Sequence, residues 1–248
     1  MSISVELKTC GSTAQFLRIH GFFFYFSTLE ASADAKNTHQ LCQSSILPNK
    51  NFPLLFQAVH SESACLPGSF SVYNKGEVEM VVEYVVKLLA LKNEDGTRKL
   101  SNSDIGIVTP YKQQEKLIQN ELEKKRINSK STGSKNPNDI EVGSVDKYQG
   151  NEKTVIIYST VRSVKKQLVV QRRRRPRPNL GVENLNLEKD NFFFDYKRFN
   201  VAITRAKCLV VVIGDDKYLE KNDKGKTWKN LMKFIKDNGA FVESPPPE

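Results

Sequence analysis

Apolar residues in this chain form short continuous runs, and amphipathic stretches separate one run from the next. The runs lack the apolar–polar alternation of a strand with one solvated face, so they predict strands that are buried on both faces. The clearest runs are FPLLFQAV, DIGIVTPY, IEVG, TVIIYSTV and CLVVVIG. Strands of this kind are typical of an α/β fold with a mostly parallel sheet and helices on both of its faces.

The amphipathic stretches predict the helices between these strands. In KGEVEMVVEYVVKLLALK the apolar residues recur at steps of three and four, and Asn74 directly before it is suited to cap the first turn. KQQEKLIQNELEKKR has Leu117, Ile118 and Leu122 as its inner face, and TWKNLMKFIKDN predicts a last helix. A further helix is expected in DYKRFNVAITRAK, which leads directly into the strand CLVVVIG.

The composition divides the chain into segments. Residues 1–50 are irregular in pattern, and we expect an irregular or truncated N-terminal segment. Residues 51–242 carry the pattern of strands and helices, which is interrupted by a Ser/Gly/Asn/Pro linker at 128–138. A charged insertion at about 165–190 has little capacity to form a core and is expected to be disordered. Residues 243–248 form a Pro-rich tail.

Most of the net charge of the chain is concentrated in the insertion. The formal net charge is +10, and seven of the positive residues lie in KKQLVVQRRRRPR, which leaves about +3 for the rest. Three interpretations of this tract stay open: non-specific binding of nucleic-acid phosphates, nuclear localisation, or a solvated loop without a role. Its four consecutive arginines are Arg172, Arg173, Arg174 and Arg175.

Cysteine and histidine are too few and too scattered to predict a metal site. The four cysteines are widely spaced without a CxxC pair, and the chain has three histidines. We therefore expect no bound metal, and free thiols that serve as small buried apolar groups in a reducing compartment. The run GFFFYF is far too short to span a bilayer, and no secretory signal pattern is present. A cytoplasmic location without membrane contact is expected.

Polar, turn-like sequence follows the predicted strands. VTPYKQQ ends one strand, GSVDKYQGNE joins two strands, and STVRS ends another. In a parallel sheet these segments are expected at the same edge, where ligands of α/β proteins bind. Their hydroxyls and backbone N–H groups can hold a phosphodiester backbone, and glycine permits close approach of a ligand. Taken singly, each segment is weak evidence, and both the TPY and the QGNE segments are also consistent with ordinary turns.

The three segments in this order carry a family resemblance. GIVTPYKQQ, GSVDKYQGNEKTVIIYSTVRS and DYKRFNVAITRAKCLVVVIGD together resemble the second RecA-like domain of superfamily 1 helicases of the up-frameshift type. The resemblance implies a RecA-like, P-loop NTPase-type fold. KRFNVAITRAK followed by WKNLMKFIKDNGAF looks most like the Armitage-like RNA helicases of RNA silencing.

The resemblance assigns several residues to an ATP site between two domains. Arg205 in ITRAK would be the arginine finger that reaches the γ-phosphate of ATP, a role that suits a planar and permanently charged group. Glu152 would face the nucleotide near its ribose, Gly150 would allow the close approach, and Gln149 would hold that loop. The Mg²⁺ ion that accompanies ATP would be held by the first RecA-like domain.

The resemblance assigns other residues to a nucleic-acid surface. Thr109 and Ser144 would contact the strand through their hydroxyls, Tyr111 would also contact it, and Arg162 would lie near the same surface. The basic tract at 172–175 is close in sequence to this set and is included among the candidate nucleic-acid contacts.

The spacing of two arginines leaves their role open until the resemblance is considered. Arg198 and Arg205 are seven residues apart, which on a helix places them on roughly one face, two turns apart. From spacing alone they are ordinary solvated charges. The resemblance implies that Arg205 points at a phosphate, whereas Arg198 and Asn200 support the arginine-finger helix from neighbouring positions.

The sequence contains neither a GxxxxGK[ST] loop nor an acidic DEAx-type box after an apolar strand. We therefore expect the chain to be the C-terminal motor half of an ATP-dependent RNA helicase, with negligible ATPase activity alone. Expected partners are a first RecA-like domain, single-stranded RNA, and silencing or decay ribonucleoproteins, in cytoplasmic granules or, through the basic tract, in the nucleus. Nothing in the motifs distinguishes RNA from DNA, because that depends on contacts to the 2′-hydroxyl. The alternatives are a non-enzymatic RNA-binding adaptor derived from a helicase, and an inactive gene fragment.

Overall fold

The fold was analysed in a computed structural model of the chain. It describes residues 5–8, 14–19, 22–23, 41, 44–50, 52–65, 71–131, 138–148, 151–163, 196–222 and 227–244. The predictions for Gln149, Gly150, the insertion at about 165–190 with its four arginines, and the last four residues of the tail lie outside the described residues.

The described residues form twelve strands and five α-helices. The strands are β1 Val5–Lys8, β2 Ala14–Ile19, β3 Phe22–Phe23, β4 Leu54–Ala58, β5 Ser63–Cys65, β6 Val72–Asn74, β7 Ile105–Val108, β8 Ser129–Ser131, β9 Ile140–Gly143, β10 Lys153–Ser159, β11 Ala206–Gly214 and β12 Phe241–Val242. The helices are α1 Lys75–Leu89, α2 Lys112–Lys124, α3 Tyr196–Ile203, α4 Asp216–Asn222 and α5 Thr227–Asp237. Short 3₁₀ helices lie at Asn102–Asp104 and Val145–Tyr148.

Seven strands form one sheet in the order β12-β4-β11-β10-β7-β9-β8, and every pair of neighbours is parallel. β1, β2 and β3 form a separate antiparallel sheet, and β5 pairs with β6 in an antiparallel hairpin. The predicted α/β fold, with a mostly parallel RecA-like sheet, is confirmed.

Both faces of the seven-stranded sheet are covered by helices, which explains the continuous apolar runs. Along β11, Val210 and Val212 pack with the apolar side chains of α3, α4 and α5. Leu209, Val211 and Ile213 point to the other face and pack with those of α1 and α2. Alternate residues of a strand point to opposite faces, so a strand covered on both sides needs apolar residues at every position.

Two predictions from the sequence are wrong in detail. The linker predicted at 128–138 contains β8, a polar edge strand that pairs with β9 through Ser129 opposite Ile140. The irregular segment predicted at 1–50 contains the three-stranded antiparallel sheet.

None of the helices among the described residues is both long and apolar enough to cross a lipid bilayer. Of the cysteines that the structure describes, Cys208 is buried, as expected, and Cys65 is half-buried.

Candidate functional site

The predicted site residues lie at two opposite ends of the parallel sheet. Thr109, Tyr111, Ser144 and Arg162 follow the carboxyl ends of β7, β9 and β10, and we call this group the carboxyl-end rim. The Thr109 N–H donates to the carbonyl of Gly143 over 3.0 Å, which joins two of these strand ends.

The second group lies at the other end of the same strands. Glu152 directly precedes β10 and Arg205 directly precedes β11, and we call these two residues the amino-end rim. The Lys153 N–H donates to the Arg205 carbonyl over 2.9 Å. A rise of about 3.3 Å per residue along β10 separates the two rims by roughly 20 Å.

The expectation that all three motifs meet at one edge of the sheet is therefore wrong for Glu152. The chain leaves β9 at Ser144, and because β10 is parallel to its neighbours, it must return to the opposite edge before β10 can begin. The 3₁₀ helix Val145–Tyr148 lies on this return path, with Val145 and Tyr148 buried. One motif, GSVDKYQGNE, thus reaches from one rim to the other.

At the carboxyl-end rim, Tyr111 and Arg162 form a pair. The Nε–H of Arg162 donates to the Tyr111 hydroxyl over 2.5 Å, and the guanidinium carbon lies 5.1 Å from the centroid of the ring. Burial raises the pKa of Tyr111, and the Arg162 charge opposes that shift. The pair makes Tyr111 a fixed, half-exposed aromatic group. Ser144, which follows the neighbouring strand β9, is half-exposed as well.

The other two side chains of this rim are almost completely covered. Thr109 is 1% exposed and Arg162 is 3% exposed. The Thr109 hydroxyl finds no hydrogen-bond partner among the described residues. A direct contact between either side chain and a bound strand therefore requires this rim to rearrange, whereas Tyr111 and Ser144 are accessible as they stand.

At the amino-end rim, Arg205 lies in a turn and not on a helix. α3 ends at Ile203, so the expected common helical face of Arg198 and Arg205 does not exist. The Arg205 Nε–H donates to the Val201 carbonyl over 3.2 Å, and Nη2 lies 3.3 Å from the Thr204 hydroxyl. The half-buried guanidinium thus covers the carboxyl end of α3, where a cation is favourable.

The neighbours of Arg205 on α3 attach this helix to the rest of the domain. Arg198 pairs with Asp146 of the 3₁₀ helix at 3.6 Å. Asn200 is buried, and its Oδ1 has no hydrogen-bond partner among the described residues. The Phe199 ring packs against Trp228 with a centroid distance of 4.5 Å. Glu152, the other residue of this rim, is exposed.

Comparison with known proteins identifies the family to which this architecture belongs. The family model described as an AAA domain matches residues 12–217. The chain is 32% identical over 240 residues to the RNA helicase Mov10l1 of Homo sapiens, covering 95% of this chain and 17% of that protein. It is 28% identical over 221 residues to the regulator of nonsense transcripts 1 homolog of Drosophila melanogaster, covering 89% of this chain and 16% of that protein.

The chain belongs to the AAA-domain family of up-frameshift-type superfamily 1 helicases. It spans about a fifth of the length of the curated relatives it matches. These include mov-10-B.1 of Danio rerio, with 32% identity over 234 residues that cover 94% of this chain and 21% of that protein. The part represented here is a helicase domain of the C-terminal RecA-like type.

The helicase domain also contains a buried acid that the sequence analysis missed. Glu77 on α1 is completely buried and accepts hydrogen bonds from the Ser159 hydroxyl at 2.6 Å and from the Val161 N–H at 2.8 Å. The Thr160 hydroxyl lies 3.3 Å away. Burial raises the pKa of Glu77 to about 8, against the opposing effect of these hydrogen bonds. An acid in the first turn of a helix ordinarily indicates an exposed, dipole-stabilising position, so no local signal distinguished Glu77.

One cluster in the described part of the helicase domain has the composition of a metal site. One ligand atom from each of His60, Asp215 and Asp216 lies within 4.8 Å of the others. Asp216 already contacts His60 Nε2 at 2.8 Å and Lys236 Nζ at 3.9 Å. Asp215 Oδ1 accepts the N–H of Tyr218 at the start of α4 over 3.0 Å. These contacts explain the cluster without a metal ion.

Proposed function

We propose that this chain is the C-terminal motor domain of an ATP-dependent RNA helicase. In this proposal the amino-end rim faces ATP bound to a first RecA-like domain, and the carboxyl-end rim faces a single strand of RNA. The observation that carries the proposal is the division of the family's motif residues between two ends of one sheet, because a motor must bind nucleotide and nucleic acid at separate surfaces.

The surroundings of Arg205 support its assignment as the arginine finger. Its hydrogen-bond partners are a backbone carbonyl and a threonine hydroxyl, both neutral, and no carboxylate pairs with it among the described residues. Hydrogen bonds between a guanidinium and a phosphate are stronger than those to neutral acceptors, so the γ-phosphate of ATP can displace these partners. ATP supplies the phosphoryl group, and the Mg²⁺ belongs to the first domain in this proposal.

The geometry of the carboxyl-end rim supports a nucleic-acid surface. Tyr111 offers an aromatic face and Ser144 a hydroxyl, and groups of these two kinds bind single strands without reading their sequence. Arg162 acts by holding the Tyr111 ring. RNA is proposed as the substrate because a relative with 32% identity is named an RNA helicase. A role in RNA silencing or decay, and a location in cytoplasmic ribonucleoproteins, are part of the same proposal.

The test is a reconstitution assay. The purified 248-residue chain and a first RecA-like domain are measured separately and together for ATP hydrolysis, with and without single-stranded RNA. We expect hydrolysis above that of the first domain alone only when both proteins are present, and further stimulation by RNA. Hydrolysis by this chain alone that depends on Arg205 would contradict the proposal.

The same assay, together with a measurement of RNA affinity, distinguishes the motor domain from an RNA-binding adaptor without ATPase activity. The observation that favours the adaptor is the basic tract, which can bind phosphates with a strong dependence on salt. An adaptor binds RNA in a salt-sensitive way, is unaffected by Arg205→Ala, and loses affinity when Arg172 to Arg175 are replaced by glutamine. It adds no ATP hydrolysis to that of the first RecA-like domain in the reconstituted mixture.

A further inference from the structure

A buried polar network lies directly beneath the carboxyl-end rim. Gln114 on α2 connects two of its parts, because its Nε2 donates to the Ser159 hydroxyl at 3.0 Å and to the Asn74 carbonyl at 3.2 Å. Its Oε1 accepts the Asn74 N–H at 2.9 Å. The Ser159 hydroxyl in turn donates to Glu77. The Ser159 hydroxyl of β10 thus links Gln114 on α2 to the carboxyl group of Glu77 on α1.

The backbone directly after β10 has a conformation that its residue disfavours. Val161 has a φ of +71°, in the left-handed region that a β-branched residue very seldom adopts. Such a conformation persists only when the surrounding contacts over-determine it. The contact present here is the bond of 2.8 Å from the Val161 N–H to Glu77 Oε2.

Arg162 follows Val161, so the direction of its side chain depends on this unusual backbone. If Val161 relaxed to a negative φ, the next peptide unit would rotate and Arg162 could no longer reach the Tyr111 hydroxyl, to which it now donates at 2.5 Å. On the far side of the turn, the Ser163 hydroxyl accepts the Ser63 N–H at 2.7 Å. The turn is therefore held at both ends, and Glu77 holds the strained position.

We propose that Glu77 is a positioning residue, which keeps Val161 in the left-handed conformation and thereby fixes Arg162 against Tyr111 at the nucleic-acid surface. The hydrogen bonds from Val161 to Glu77 and from Arg162 to Tyr111 do not depend on the proposed function. The consequence for RNA binding rests on that function.

The first measurement needs no RNA. In the full chain labelled with ¹⁵N-arginine, the Arg162 Nε–H signal is assigned by its loss in Arg162→Lys, and its hydrogen-exchange rate is measured. We expect exchange about tenfold faster in Glu77→Leu, which removes both acceptor oxygens, and little change in Glu77→Gln, whose carbonyl can still accept from Ser159 and Val161. Glu83→Gln, an exposed position on the same helix, is the matched control and leaves the signal unchanged.

A rescue variant separates positioning from general destabilisation. Glycine adopts positive φ about as readily as negative φ. Val161→Gly in the Glu77→Leu background should therefore restore slow exchange in part, which it would not do if Glu77 only stabilised the fold. If Glu77→Leu does not fold, Glu77→Asp replaces it, because the shorter side chain withdraws the carboxyl group from Val161. An unchanged Arg162 signal in the folded variant, or no rescue by glycine, overturns the proposal.

The second measurement is affinity for a fluorescent single-stranded oligouridine. We expect Glu77→Leu and Arg162→Ala each to weaken binding by about tenfold, and the double variant to be no weaker than either. Full additivity overturns the proposal, because it means that Glu77 does not act through Arg162. If the Arg162 Nε–H exchanges faster in Glu77→Leu but the RNA affinity is unchanged, Glu77 still positions Arg162. That outcome contradicts the assignment of this rim to nucleic acid.

Discussion

The two rims of the sheet hold their arginines in opposite ways. Arg162 at the carboxyl-end rim is 3% exposed, pairs with Tyr111, and follows a strained residue that the buried Glu77 holds. Arg205 at the amino-end rim is half-buried, lies in a turn, and bonds to two neutral groups within four residues of itself. The first arrangement is built in advance of any ligand, whereas the second leaves the guanidinium able to exchange partners.

This difference agrees with the two tasks that we propose. A surface that holds successive nucleotides benefits from fixed geometry, because ordering side chains on binding costs free energy. A residue that must reach a phosphate on another domain needs freedom until that domain closes. The carboxyl-end rim should therefore behave as a rigid surface, and the amino-end rim as an adaptable one.

The largest expected effect is the loss of ATP hydrolysis on replacing Arg205. In the reconstituted system with a first RecA-like domain, Arg205→Ala should lower kcat by about 10³-fold, because the transition-state charge loses its stabilising partner. Arg205→Lys keeps the charge without the planar fork and should recover only a small part.

The control for that prediction is RNA affinity, which should be the same in both Arg205 variants, because the carboxyl-end rim is roughly 20 Å away. Parallel losses of ATP hydrolysis and RNA affinity would mean that the two rims do not act as separate surfaces.

The next effect concerns how tightly the carboxyl-end rim is packed. A Cβ atom added at Gly214, at the end of β11, would lie 2.9 Å from Cγ2 and 3.0 Å from Cβ of Thr160. Gly214→Ala should therefore lower the free energy of unfolding by about 1–3 kcal/mol in chemical denaturation. Lys207→Ala, at the exposed other end of the same strand, should change it by less than about 0.5 kcal/mol. Equal effects at the two ends would remove the contrast in packing.

A smaller change in the free energy of unfolding, for each pH unit, is expected from the buried acid Glu77. The folded-state pKa of Glu77 is raised from 4.5 to about 8. Below pH 4.5 the carboxyl is protonated in both states and its contribution to stability is complete. Between pH 4.5 and about 8 the unfolded chain is ionised while the folded chain keeps the proton. As the pH rises through this range, the free energy of unfolding should fall by at most about 1.4 kcal/mol per pH unit, with no further loss above it.

The measurement is the difference in pH dependence between the native chain and Glu77→Gln, since other carboxylates titrate in the lower part of the range. The titratable groups near Glu77 are Asp215, whose charge raises its pKa further, and the hydroxyls of Tyr111 and Tyr158. Glu77→Gln should remove the slope. A slope that is the same in both proteins would show that Glu77 is ionised in the fold.

The sequence was sufficient for the parts of this architecture whose signals are local. The apolar runs of β4, β7, β10 and β11 predicted strands buried on both faces, and Asn74 was correctly predicted to cap α1, where its side chain accepts the Glu77 N–H at 3.1 Å. The edge strand β8 was missed because a polar SKS segment at the edge of a sheet has the composition of a loop.

The parts that could not be predicted depend on contacts between distant segments. Glu77 contacts residues 82 to 84 positions further along the chain, so nothing near it in the sequence indicates that it is buried. The division of the motifs between two rims depends on the return path after β9, which follows from the parallel strand order and not from the motif GSVDKYQGNE itself.

The smallest expected effect tests how α3 is attached at the amino-end rim. Arg198 and Asp146 are 3.6 Å apart and both side chains are partly exposed, at 32% and 52%. Pairs of this kind contribute about 0.2–1 kcal/mol and are screened by salt. Asp146→Asn should therefore lower the free energy of unfolding by less than about 1 kcal/mol, and the difference should shrink at high salt. Because Phe199 anchors the helix through Trp228, Arg205 should keep its position and reconstituted ATP hydrolysis should change by less than about threefold. A large loss of hydrolysis without a matching loss of stability would mean that this ion pair, and not the aromatic packing, positions the arginine finger.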